Sequence, residues 1–299
     1  MADQAPPSFD TGLDRSNTLS DAESKRLAAW YAEQHGTGDL SLVPFVTLLV
    51  EHRPDVMKHH RFVAQAKHDS QHFGPIVTVL LFTHLYTIVA NEEGILYEII
   101  AARKAGATKA EVLDVIAFAY LHGGTNGLNA VGKLSDQYLR EWTDEGRALA
   151  TSPWPAHWGT DPDAFRSGID TNATFSDDDL AKVERWYRSV GSELPAYVRL
   201  LATHRPTVLK EYRRLQEAAL GAALPKQMVP LMLLHLSIVR ANVGGIRFAA
   251  KQAQAFGVTR DEFLDTVCWA MSYSGELGLQ AVGPVLAEIV EAWPAEPPR

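Results

Sequence analysis

Gly106-Ala107-Thr108-Lys109-Ala110-Glu111-Val112-Leu113-Asp114 returns later in the chain as Gly257-Val258-Thr259-Arg260-Asp261-Glu262-Phe263-Leu264-Asp265. Each copy reads as helix punctuation. The glycine sits where a helix closes with a left-handed cap, and Thr-x-x-Glu is a capping box that opens the next helix. Working outward, the repetition continues. Ala90-Asn91-x-x-Gly94-Ile95 matches Ala241-Asn242-x-x-Gly245-Ile246, and His84-Leu85 matches His235-Leu236. Gly127-Leu128-x-Ala130-Val131-Gly132 matches Gly278-Leu279-x-Ala281-Val282-Gly283. Upstream, Trp30-Tyr31 pairs with Trp186-Tyr187, and His52-Arg53-Pro54 with His204-Arg205-Pro206. About two positions in five agree between His84–Gly132 and the second copy, at an offset of about 151 residues. That period is far too long for a solenoid and predicts two copies of one domain.

Both copies read as helical. Ser20-Asp21-x-Glu23 and Ser176-Asp177-x-Asp179 are N-cap patterns, and Pro54 and Pro206 stand at helix starts. A long apolar helix is expected from Ile76 to about Lys104, and again from Met228 to about Ala255; strand-type alternation is almost absent. The expected fold class is all-α, in two tandem copies. Residues 1–20 read as a disordered arm, 21–150 as the first domain, 151–174 as a linker rich in Pro, Trp, Asp and Gly, and 175–299 as the second domain.

The 299 residues are 46% hydrophobic and 21% charged, enough for two ordinary cores. A net charge of -8 argues against nucleic acid and anionic membranes as partners. No apolar run of spanning length and no leader are visible, so a cytoplasmic protein is expected. The single cysteine, Cys268, permits neither an intrachain disulfide nor a cysteine cage for metal; it reads as a buried hydrophobe in a later apolar helix.

The run Ala101-Ala102-Arg103-Lys104-Ala105-Gly106-Ala107-Thr108-Lys109-Ala110-Glu111-Val112-Leu113-Asp114-Val115-Ile116, followed by Ala119-Tyr120-Leu121-His122-Gly123-Gly124, resembles the carboxymuconolactone decarboxylase and alkyl hydroperoxidase D family. The resemblance covers about half of each copy. It implies two tandem alkyl hydroperoxidase D-like helical domains. In that family's peroxidase branch a Cys-x-x-Cys and a following His precede the glycine. Here those positions hold Asn91, Gly94 and Glu98, and in the second copy Asn242, Gly245 and Ala249. With neither attacking nor resolving thiol, peroxidase activity is not expected. The decarboxylase branch implies acid–base chemistry instead, in which a carboxylated lactone loses carbon dioxide and the carbanion-like centre is reprotonated.

On the expected long helix His84, Asn91 and Glu98 are spaced by seven and share one face. His84 is the candidate general acid/base, Glu98 its partner or a second acid, and Asn91 a polarising donor. Equally, His84 and His235 can be structural, and Asn91 and Asn242 helix-breaking. His122 and Tyr120 beside Gly123-Gly124 are candidate substrate contacts, the alternative being tight helix packing. Arg53 is a candidate carboxylate clamp or a helix cap. His60, His68 and His72 offer a metal-ligand spacing, if all three lie on one helix. The expected activity is a cofactor-independent lyase acting on a small carboxylated lactone or ring. The alternatives are a His-ligated metal-dependent lyase or hydrolase, or a non-catalytic small-acid binding protein. A small-molecule carboxylate partner and a homotrimer or homodimer are expected.

Overall fold

A computed structural model describes residues 10–35, 43–144, 152–170, 174–221 and 223–294. Among these are fourteen helices and no strand; the one β-bridge joins Thr160 and Pro225. The chain forms two compact units, Met1–Pro155 and Ala156–Arg299. No helix among the described residues is long and apolar enough to cross a membrane.

In the first unit the helices are α1 (Asp21–His35), α2 (Pro44–His52), α3 (Pro54–Ser70), α4 (Pro75–Val89), α5 (Glu92–Lys104), α6 (Lys109–Gly123), α7 (Thr125–Leu134) and α8 (Asp136–Glu141). In the second they are α9 (Asp177–Ser189), α10 (Ala196–His204), α11 (Pro206–Ala219), α12 (Met228–Val239), α13 (Val243–Ala255) and α14 (Arg260–Glu291). α4 is apolar on every side, so it can be stable only at the centre of a core; it packs against α5, α6 and α7. α12 has the same character and packs against α13 and α14. α14 is kinked at Gly275 (φ 63°), which corresponds to Gly124 (φ 67°) between α6 and α7.

The long helix expected from Ile76 to Lys104 is two helices. Ala90 takes a left-handed conformation (φ 55°), with its N–H on the Thr87 carbonyl at 3.2 Å. The Asn91 N–H reaches the Tyr86 carbonyl at 3.0 Å. That pair of bonds is a Schellman closure. The Asn91 side-chain oxygen then accepts the Gly94 N–H at 2.9 Å, capping α5. A Cβ on Gly94 would lie 3.0 Å from both the Asn91 Cγ and the Tyr86 ring. Ala241, Asn242 and Gly245 repeat this turn, with Ala241 at φ 50° and the Gly245 N–H 3.0 Å from the Asn242 oxygen. The repeated Ala-Asn-x-x-Gly is thus a tight corner between antiparallel neighbours.

Two stretches expected to be loose are packed in their described parts. Residues 1–9 of the expected arm lie outside the described residues, but 10–20 are held in place. Fully buried Lys58 bonds Asp14 at 2.5 Å, the Thr18 carbonyl at 2.6 Å and Glu23 at 2.9 Å. A buried ammonium needs such anions around it. The later part of the expected linker is packed structure. Of its described part, Trp158, Phe165 and Ile169 are buried in the second unit, and Trp186 donates to the Ala164 carbonyl at 2.8 Å.

The Lys58 clasp has a counterpart in the second unit, where buried Lys210 lies 3.6 Å from Asp179. One turn on, Arg61 stacks over Trp30 at 4.0 Å and Arg213 over Trp186 at 4.1 Å. Lys58-x-x-Arg61 and Lys210-x-x-Arg213 therefore belong to the repeat alongside Trp-Tyr.

Candidate functional site

α4 carries His84 into the core of the first unit, where its side chain is fully buried. α6 carries Phe118 and His122, four residues apart and so on one face. The His84 ring stacks on Phe118 (centroids 5.3 Å apart, planes at 22°), and Phe118 meets His122 edge-on at 4.6 Å. His84 Nε2 and His122 Nδ1 are 3.4 Å apart. His122 is only partly buried, so the pair runs from the core towards the surface. The glycines behind it serve close packing. A Cβ on Gly123 would come 2.9 Å from the Ile88 Cα, and one on Gly127 only 2.2 Å from the Thr87 carbonyl oxygen. They hold the α6–α7 corner against the last turn of α4, which fixes His122 beside His84.

Of the expected residues, the structure brings together His84 and His122. Asn91 does not join them, because the helix breaks before it and its side-chain oxygen caps α5. Glu98 is buried on α5, which neighbours α1, α4 and α7. Burial pushes its carboxyl well above the usual range, which favours its neutral form. Tyr120 is partly buried and lies about 200° around α6 from His122, on the other side of that helix. Arg53 is exposed at the α2–α3 corner, with its Nε and Nη2 on the Asp55 carboxylate at 3.0 and 2.9 Å. A bidentate partner within its own chain occupies the fork that a substrate carboxylate was expected to fill.

The expected metal-ligand spacing is not realised. α3 ends at Ser70, so His72 lies beyond the helix that carries His60 and His68. His60 meets the Phe45 ring edge-on at 5.3 Å, and His68 Nδ1 lies 3.3 Å from Asp69. Among the described residues no three His, Cys, Asp or Glu side chains converge as a metal site would require. Cys268 is exposed rather than buried, because the face of α14 carrying it turns away from Phe263, Trp269 and Ala270.

The chain matches no known protein family, no curated protein and no solved structure. At the place of His84 the second unit has His235, also fully buried, and burial drives its pKa down to about 3. That imidazole stays neutral at any physiological pH. Phe118 is replaced by Trp269, His122 by Tyr273 and Glu98 by Ala249. The second unit thus keeps the inner histidine, has a phenol in place of the His122 imidazole, and has no carboxyl at the place of Glu98. Reading from sequence missed Phe118 as a member of the cluster. The available signal was its spacing of four from His122, on a helix that must face α4.

Proposed function

We propose that the protein is a proton-transfer lyase of the decarboxylase kind, acting on a small carboxylated lactone or ring, with its reactive site in the first unit. In this reading both units are diverged carboxymuconolactone decarboxylase-like domains, and the second is a scaffold. The observation that carries it is the His84–His122 pair, with nitrogens 3.4 Å apart and one imidazole reaching towards solvent. Imidazole is the side chain that exchanges protons near neutral pH.

The roles differ from those expected on the isolated sequence. His122 is the acid/base that meets substrate, since fully buried His84 cannot do so without opening the core. His84 is the positioning residue, and its contact at Nδ1 of His122 leaves Nε2 for chemistry. In the step itself the carbon–carboxyl bond breaks and carbon dioxide leaves. The electron pair stays on the ring carbon, delocalised into the adjacent unsaturation, and His122 protonates that carbon. Solvent then restores the proton. Glu98, whose neutral form burial favours, is a second candidate acid in the same unit.

Carbon dioxide release from a panel of carboxylated lactones and cyclic β-keto acids tests the reading. The expected result is turnover that His122→Asn lowers by about 10²–10⁴-fold, the usual worth of a positioned acid/base. His84→Asn should lower it too, and should also move the pH optimum, which a merely structural change would not do. Turnover unchanged in His122→Asn would overturn the assignment. Saturable binding of the acids without carbon dioxide release would make the protein a small-acid binder instead.

A further inference from the structure

The α2–α3 hairpin of the first unit presents Phe45, Leu48, Val56 and Val63 to solvent, with Leu48 58% exposed. The α10–α11 hairpin of the second unit presents Tyr197, Leu200, Val208 and Leu215, with Leu200 59% exposed. These are the same four positions in the two units. In each helix pair they fall on one side, at spacings of three and seven residues. Phe45 of α2 touches His60 of α3, so the two helices make one continuous surface. An isolated exposed leucine is ordinary, but four large apolar residues on one face, present in both units, are the mark of an interaction surface.

The exposed charges on the two hairpins have opposite sign. The first carries Glu51, Arg53, Asp55 and Asp69, a balance of -2, with Asp55 only at the margin of exposure. The second carries Arg199, Arg205, Glu211 and Arg214, a balance of +2. Like faces would repel at the rim, and unlike faces attract. We propose that the first unit's hairpin docks on the second unit's hairpin of another copy of this chain. Such a head-to-tail contact leaves an open face at each end of a pair, so it closes into a ring or grows into a filament. The inference does not depend on the catalytic reading.

The test uses the full chain in sedimentation velocity at micromolar concentration, with Leu48→Glu, Leu200→Glu and the wild type. The wild type is expected to associate, and less so as salt rises. Each variant alone is expected to sediment as a monomer with an unchanged circular dichroism spectrum. An equal mixture of the two variants is expected to recover a species of two chains, since each retains the face the other lacks. Arg199→Glu with Arg214→Glu, at exposed positions that no core needs, should also weaken wild-type association. A monomeric wild type would overturn the proposal. So would single variants that each remain dimeric while the double variant does not, which would mean like faces pair. Association untouched by all variants would place the interface elsewhere.

Discussion

Glu98 and His84 show what single residues decide here. The Glu98 carboxyl is raised above its ordinary 4.5 by burial, so its neutral form belongs to the folded state. Below about 4.5 the folded and unfolded chains are both protonated there and burial of the carboxyl costs no ionisation. As pH climbs from there to the raised value, the unfolded chain releases the proton and the folded chain does not. Stability therefore falls with rising pH across that window, by up to about 1.4 kcal/mol per pH unit. Urea melts at pH values rising from about 4.5 should show this slope in the wild type and a flatter one in Glu98→Gln; equal slopes would contradict the assignment. His84 was legible in the sequence as a histidine present in both copies, but its partners were not. Spacing by seven selects Asn91 and Glu98 only if the helix runs on. It stops at Ala90, an alanine in a left-handed conformation. Alanine gives no sign of such a turn, since glycine or asparagine is the usual residue there. His122 was legible only as a neighbour of glycines, because its contact with His84 depends on how α6 lies against α4.

The helices themselves were largely readable from sequence. Capping boxes at Thr108, Ser176 and Thr259 are all formed, and the prolines at positions 54 and 206 open α3 and α11. What repetition could not distinguish is why each glycine is kept. Gly127 and Gly132 both recur in the second copy. Only Gly127 is pressed against another helix, while a Cβ on Gly132 would meet nothing within 4 Å. Gly127→Ala should therefore destabilise the protein by about 3 kcal/mol through overpacking against Thr87, and should displace His122 with the corner. Gly132→Ala, at an exposed position of α7, should leave stability unchanged or raise it by up to about 1 kcal/mol through helix propensity. Chemical denaturation of the two variants checks the pair, and equal effects would mean that α7 does not sit against α4 as described.

At the scale of the molecule, the duplication was plain in the sequence, and the division between units, after Pro155, falls inside the stretch expected as a linker; what was not legible is how much of that stretch is packed. That stretch reads as a linker from its Pro, Trp, Asp and Gly content, with the tryptophans counted among the linker residues. Its tryptophans carried the contrary signal, since Trp158 must find both an apolar home and a partner for its N–H. In the first unit Trp154 donates to the Glu111 carboxylate at 2.7 Å, and in the second Trp158 donates to Glu262 at 3.0 Å. Both acceptors are capping-box glutamates of α6 and α14. The consequence is optical. Each unit contains one indole whose emission is tied to the closing of its own helix start. When that start opens, the N–H meets water and the fluorescence moves to longer wavelength. Subtracting the thermal melts of Trp154→Phe and Trp158→Phe from that of the wild type isolates the two signals. Because the second unit has a buried alanine where the first has Glu98, rising pH is expected to lower the transition read at Trp154 more than the one read at Trp158. The chain thus carries two fluorescent thermometers, four residues apart, each reading a different half.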